Sequence, residues 1–431
     1  MKKLFLISIV ALGMLTACSP VNDPLEDFVP ETQKPDPEKE NPQQGGGEVQ
    51  SRGAVPITLT SQQKQINNGL SLFSWKLFNE SYKIRENGTN ILISPISLEV
   101  ALGMFANGLS ADEQSQVLKT LGLENYSMEE VNTYFQTMME GLANADDVAE
   151  LHMANSFWYR STHKVKEAYA KVLNDSYKAE SYAVDFSLQS TINSINAWCA
   201  KQTNDRIKSI LDDGVDAAIY AVLLNAVYFK STWKYEFDTE QTHKQVFHFA
   251  DGKDAEVDMM SQGDMKVDYL APGEFRIVAF PFVNEAYKFF IILPDEKVSI
   301  DKVAATVQFI HFTMMQPTTL DRFAMPKFEV SYKEEKLAAA MQQINPSLGF
   351  GGLRFQPLEP EILSETKNDI LQKTFFKVDE KGAEAAAVTG IIVKNTSVNP
   401  SKNFIADRPF LYGIMETSTS CPLFIGYYGE H

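Results

Sequence analysis

The segment Val378-Asp-Glu-Lys-Gly-Ala-Glu-Ala-Ala-Ala-Val-Thr-Gly-Ile-Ile392 constrains this chain more than any other. A Glu-Lys-Gly turn opens a run of very small side chains, a β-branched tail follows, and the next proline is Pro400. Ala385, Ala386 and Ala387 with Glu384 favour helix, whereas Gly382, Val388, Thr389, Gly390, Ile391 and Ile392 favour loop or strand. A segment this small and free of proline can slip between packed strands and become a central strand after starting elsewhere. The pattern therefore predicts a conformational switch.

The alternation of side chains along a strand sharpens that expectation. Counted from Ala383, one face carries Ala383, Ala385, Ala387, Thr389 and Ile391. The other carries Glu384, Ala386, Val388, Gly390 and Ile392, with its one charge free to reach water. A buried, unpaired Lys or Glu would cost several kcal/mol, and none falls on the first face.

The 431-residue chain has room for one large domain or two ordinary ones. Its 44% hydrophobic content supports a substantial core, and its formal charge of -17 argues against nucleic acid or heparin-like polyanions as partners. The one long apolar run lies at the start. Lys2 and Lys3 precede Leu4 to Leu15, and Leu15-Thr16-Ala17-Cys18 ends the run, which reads as an export signal over residues 1–18. A small residue before a cysteine resembles a bacterial lipobox, in which Cys18 is lipidated and anchors the chain to a membrane without spanning it. The expected location is the outer membrane or cell surface of a Gram-negative-type bacterium.

Residues 19–55 hold six prolines, Gly45-Gly46-Gly47 and many acids, and read as a tether. As a coil it would span roughly 30–35 Å. From residue 56 to 431 no second linker or repeat appears, so one domain is expected. Ile66, Leu70, Phe73 and Leu77 mark a first amphipathic helix, Ser110 with Glu113 a capping box for a helix to Leu121-Gly122, and Ile192 to Ile207 a further helix. Strands are expected at Ala221–Phe229, Phe275–Phe282, Tyr287–Leu293, Arg322–Ser331, Pro409–Met415 and Leu423–Tyr428. Helices early and strands late favour an α+β fold. Cys199 and Cys421 read as two separately buried thiols.

Motifs for catalysis are missing. Six histidines are present, but there is no HExxH, CxxC, Gly-x-Ser-x-Gly elbow or phosphate loop. His243 and His248 are poorly spaced for a shared metal, and Met259-Met260 and Met314-Met315 read as core filler. No cofactor or metal is expected.

Six segments, in order, resemble the serpin family and cover nearly everything after the tether. They are Asn90-Ile-Leu-Ile-Ser94-Pro95-Ile-Ser97; Asn196-Ala-Trp198 with Thr203 and Ile207; Leu224-Asn225-Ala226-Val-Tyr228-Phe229-Lys230 with Trp233 and Phe237; Met325-Pro326-Lys327-Phe328; Glu380 to Ala387; and Ala406-Asp407-Arg408-Pro409-Phe410. The resemblance implies three β-sheets, about nine helices and an exposed reactive loop at about residues 380–402. It implies no enzyme but a monomeric protease inhibitor: a bait loop is cut, an acyl-enzyme forms, and the loop inserts into the main sheet with the protease attached.

The resemblance also assigns roles. Glu380, Gly382, Ala383, Glu384, Ala385, Ala386 and Ala387 match the hinge. Ala383 stands where the family often has Thr or Ser. Ser94, Ser97 and Asn225 match the shutter beneath the sheet, and Trp233 the breach at its top. Gln372 stands where a shutter histidine is common, and keeps its donor and acceptor but not its charge change. Seventeen residues counted from Glu380 end at Thr396, giving cleavage before Ser397 and an elastase-like or broad-specificity serine protease as target. Lys394, cut before Asn395, would suit a trypsin-like enzyme but shortens the inserted strand by about 6–7 Å. Cysteine proteases stay open as targets. Met128-Glu129-Glu130 and Asp146-Asp147 oppose heparin-like activators. A non-inhibitory binding or carrier member, and a surface hydrolase with an unrecognised triad, are the alternatives.

Overall fold

The computed structural model describes residues 51–211, 220–361, 368, 370, 372–383 and 402–431. They belong to one compact unit, Gly47–His431. The signal and lipid site at Cys18, and most of the tether, lie outside the described residues.

Nine α-helices occur among the described residues: α1 (Ser61–Ile84), α2 (Pro95–Ala106), α3 (Ala111–Thr120), α4 (Met128–Asn144), α5 (Glu167–Tyr177), α6 (Gln189–Gln202), α7 (Ile300–Thr306), α8 (Ile310–Thr313) and α9 (Leu337–Ile344). None is long and apolar enough to cross a membrane. Local chemistry sets their starts. Thr60 and Gln63 form a reciprocal capping box for α1, Ser110 and Glu113 one for α3, and Ser127 and Glu130 one for α4. Ile66, Leu70, Phe73 and Leu77 all face the core, as their spacing predicts. Helix α3 ends at Leu121, and Gly122 takes the left-handed conformation at φ +73° that glycine accepts without strain.

The strands form three sheets. The main sheet has six, in the order β11 (Phe328–Glu334), β13 (Gln372–Val378), β14 (Gly382–Ala383), β5 (Ala221–Thr232), β2 (Glu150–Arg160) and β4 (Glu180–Val184). The largest runs β1 (Ile91–Ile93), β17 (Pro422–Tyr428), β16 (Phe410–Glu416), β9 (Tyr287–Pro294), β8 (Phe275–Pro281), β7 (Asp254–Leu270), β10 (Gln316–Pro326) and β15 (Asn403–Ile405), with β6 (His243–His248) paired to β7. A two-stranded sheet joins β12 (Leu358–Glu359) to β3 (Lys164–Val165). Three sheets with helices around them match the expected α+β architecture.

Some local expectations need correction. The single strand expected at Arg322–Ser331 is two strands in different sheets, β10 and β11, separated at Lys327. Pro326 lacks an N–H to continue the ladder, so the chain leaves one sheet there and enters the other. Met259, Met260 and Met265 are buried, but Met314 is half exposed at 53% and is not core filler. The long strands β2 and β7 carry mixed polar and apolar residues; β2 pairs with β5, about seventy residues on, whereas β7 pairs with its chain neighbours β6 and β8 as well as with β10. Cys199 and Cys421 are separate buried free thiols.

Helix α2 packs between the main sheet at β5 and the large sheet at β17. Helix α6 lies against β5 and β2, and Trp198 Nε1 donates to Glu180 Oε2 on β4 at 2.7 Å. The two helices are thus positioned where any widening of the main sheet would be felt.

Candidate functional site

The site is the hairpin from β13 into β14. Strand β13 alternates in burial, with Gln372, Thr374, Phe376 and Val378 facing inward. After Val378 the chain turns through Asp379-Glu380-Lys381, where Asp379 Oδ1 accepts from Lys381 N at 2.9 Å. It then descends as β14, antiparallel to both neighbours: Ala383 pairs with Val378 of β13 and with Ser231 of β5, and Gly382 with Thr232. Among the described residues no backbone ladder joins β13 directly to β5. Gly382 and Ala383, which the resemblance assigns to a hinge, occupy the slot between them.

Glycine is required at the entrance to that slot. A Cβ on Gly382 would collide with the Ser231 carbonyl oxygen and lie 2.8 Å from Thr232 Cα. Ala383 is buried and small, so the departure from Thr or Ser is accommodated.

Trp233, which the resemblance assigns to a breach, packs against three phenylalanines. Its ring stacks on Phe282 at 4.7 Å and packs against Phe280 and Phe289. Its indole N–H donates to the Asp379 carbonyl at 2.9 Å, and its backbone N–H to the Lys381 carbonyl at 2.8 Å. Phe237 N donates to the Glu380 carbonyl at 2.9 Å. Glu380 is buried, which by itself would raise its carboxyl. Hydrogen bonds from Lys327 at 2.9 Å and Thr242 at 2.9 Å instead hold it below the usual carboxylate range. The same bond to Glu380 pushes the Lys327 ammonium up.

Of the residues that the resemblance assigns to a shutter, Ser94 and Ser97 lie at the start of α2, Gln372 on β13 and Asn225 on β5. Ser94 and Gln372 meet: Ser94 N donates to Gln372 Oε1 at 2.8 Å and Gln372 Nε2 donates to the Ser94 carbonyl at 2.9 Å. Ser94 stands at the N-cap of α2, yet its hydroxyl does not cap; it donates to the Leu423 carbonyl at 2.7 Å. Ser97 is buried one turn along. Asn225 is not brought to this pair. Its Nδ2 donates to Asn155 Oδ1 on β2 at 2.6 Å, and Asn155 Nδ2 donates to the Tyr177 carbonyl at 2.8 Å. Asn225 Oδ1 and Ser231 Oγ are buried with no hydrogen-bond partner among the described residues.

Asn155, Lys327 and Thr242 contact the assigned residues Asn225 and Glu380, and sequence reasoning did not single them out. Lys327 lay inside a quoted motif, and its proline-induced strand break is the signal that aims it at the hinge. Asn155 carried no such signal. Glu384, Ala385, Ala386, Ala387, Lys394, Asn395, Thr396 and Ser397 lie outside the described residues.

The candidate site can do one thing chemically: accept more strand. Among the described residues, β13 and β5 have no ladder partner on their facing edges beyond Gly382–Ala383, where a hairpin has started. Comparison with known proteins agrees with that architecture. A family model described as "Serpin (serine protease inhibitor)" matches residues 68–429. Serpin-Z10 of Arabidopsis thaliana is 31% identical over 356 residues, covering 79% of this chain and 91% of the relative. The thermophilic serpin tengpin in its native state superposes with a TM-score of 0.77 at 27% identity, covering 88% of this chain and 100% of tengpin. Human thyroxine-binding globulin complexed with its hormone shares the fold at a TM-score of 0.75 and 22% identity, covering 85% and 98%. The family is one of protease inhibitors in the main, not of hydrolases, and this chain belongs to the serpin family.

Proposed function

We propose that the chain is a suicide-substrate inhibitor of serine-type proteases. The observation that carries this reading is β14, seated between β13 and β5 with the glycine needed at its entrance. Continued at the same register, Ala385 falls level with Phe376 and Phe229, Ala387 with Thr374 and Val227, and Thr389 with Gln372 and Asn225. The residues that meet the inward side of β13 are then Ala383, Ala385, Ala387 and Thr389, the face expected from sequence. Thr389 would bring a hydroxyl donor level with Asn225, whose Oδ1 is buried without a partner among the described residues. A strand with a charge at those places would not insert at tolerable cost.

In the proposed reaction the protease serine oxygen bonds the Thr396 carbonyl carbon and the Thr396–Ser397 bond breaks. The new amine of Ser397 takes a proton and leaves with the C-terminal part of the chain. The acyl-enzyme is then drawn along as the loop pairs with β13 and β5, a strand-addition mode of recognition known for this family. Thr396 suits an elastase-like or broad-specificity enzyme; cleavage after Lys394 suits a trypsin-like one, with cysteine proteases a further class of target. Lipid on Cys18 would hold the inhibitor at a bacterial surface, with residues 19–50 as spacer.

Incubation with an elastase and with trypsin tests this. An SDS-resistant adduct of chain plus protease is expected, with mass spectrometry of the released peptide beginning at Ser397. Simple cleavage with full recovery of protease activity would sink the proposal. Ala387→Arg should convert inhibitor to substrate; retained trapping would refute the inward face. Loss of labelled fatty acid in Cys18→Ala tests the anchor.

A further inference from the structure

Four adjacent strands of the large sheet meet at a surface hollow of about 360 Å³, within the size range of small-molecule sites. The strand registers explain it. Lys266 lies opposite Thr319 and Asp268 opposite Pro317 across β7 and β10; Asp268 lies opposite Ala279 across β7 and β8; Pro281 lies opposite Lys288 across β8 and β9. These residues share one face. Strand β8 contributes only the short Ala279 and Pro281 there, whereas its neighbours contribute long side chains. A depression results, with an apolar floor and a rim of three lysines (Lys234, Lys266, Lys288) and two carboxylates (Asp268, Glu285).

The charges do not balance. Lys288 Nζ pairs with Asp268 Oδ2 at 2.6 Å, and Lys234 pairs with Glu285. Lys266, on the same rim, has no ion-pair partner among the described residues. One uncompensated cation thus faces a concavity in a chain whose formal charge is -17. The floor of Ala279, Pro281 and Pro317 suits a planar ring, and Lys266 with the Thr319 hydroxyl opposite suits an anionic group on that ring.

The geometry points to this hollow as a binding site for a small single-ring aromatic anion, a carboxylate or a phosphate monoester. The site is joined to the breach. Lys234 follows Trp233, and Lys234 N donates to the Pro281 carbonyl at 3.1 Å, so an occupant touches both members of that strand contact. A ligand there stabilises the conformation in which the contact is intact.

Calorimetric titration of the full chain with phenyl phosphate and with benzoate tests the site, with inorganic phosphate and benzyl alcohol as the separated halves. Both aromatic anions are expected to bind, and each more tightly than either half. Lys266→Ala should weaken them by about tenfold, and Thr319→Trp, which fills the hollow from an exposed position, should remove binding while the far-UV spectrum is kept. Unchanged binding in Lys266→Ala, survival of binding in Thr319→Trp, or no binding by either aromatic anion overturns the inference. No protease enters the measurement, so its result stands apart from the inhibitory function.

Discussion

Gln372 and Ser94 hold each other through a complete peptide-like pair, Ser94 N–H to Gln372 Oε1 at 2.8 Å and Gln372 Nε2–H to the Ser94 carbonyl at 2.9 Å. Both residues are buried, and 278 positions of sequence separate them. The pair ties the inward side of β13 to the start of α2 beneath the sheet. Being an uncharged amide, it does not titrate near neutrality, unlike a histidine.

Gln372→His should therefore make stability depend on pH. Below a pKa of about 6.5 the imidazolium has no acceptor for Ser94 N–H, and a buried orphan donor costs about 1–3 kcal/mol. Melting temperatures measured from pH 8 to 5 should fall more in the variant than in the parent. Parallel curves would refute the assignment.

Gly382→Ala should unseat the hinge. The added Cβ meets the Ser231 carbonyl and Thr232 Cα, both backbone atoms, so the strands must part. A loss of about 1–3 kcal/mol is expected from overpacking, read from chemical unfolding. The stoichiometry of protease trapping should worsen in the same variant. Unaltered values in both would show that the slot is wider than the close approach implies.

Glu380 should make the hinge acid-sensitive. Its carboxyl is held below the usual range by Lys327 and Thr242 in spite of burial. A carboxylate with a depressed folded pKa contributes stability above its unfolded value, and that contribution is lost as pH falls through the folded one. The parent should lose melting temperature below about pH 4.3 more steeply than Glu380→Gln. Lys327→Met should destabilise at neutral pH, because the buried carboxylate loses its cation and keeps only uncharged donors, its own backbone N–H and Thr242. Identical acid profiles for parent and Glu380→Gln would exclude the ion pair as a hinge support.

Glu99 should act in the opposite direction. It is buried on α2, and burial pushes its carboxyl up to about 8. Ser74 Oγ lies 2.9 Å from the Leu70 carbonyl and 2.7 Å from Glu99 Oε1, and its single proton can serve only one of them. Both contacts are satisfied when Glu99 is protonated and donates to Ser74. A raised folded pKa contributes stability that is full below the unfolded value and is lost as pH rises through about 8. Urea midpoints should decline from pH 5 to 9 in the parent and decline less in Glu99→Gln. A parent midpoint that rises or stays level over this range would contradict a protonated Glu99.

Much of the fold was legible because it is written locally. The capping box at Ser110 depends on Glu113 three residues on, and the α1 stripe from Ile66 to Leu77 on helical periodicity. Gly382 and Ala383 fit between two strands because smallness and alternation are properties of the segment itself. The single strand expected across Lys327 failed because both halves look equally strand-like. Only the sheets they join distinguish them.

By itself the sequence determined the family and the α+β architecture, since these rest on short-range pattern and motif order, and it made the segment from Gly382 small and alternating. Tertiary structure alone decided which groups stand around the turn from Asp379 to Ala383. Lys327 reaches Glu380, Gln372 clasps the Ser94 backbone, and Asn225 turns to Asn155 on the neighbouring strand instead of to Ser94. Those partners are chosen by strand register between segments far apart in the chain. A register shift of one residue would send each side chain to the other face, and no local pattern at Asn225 or Asn155 records which register is taken.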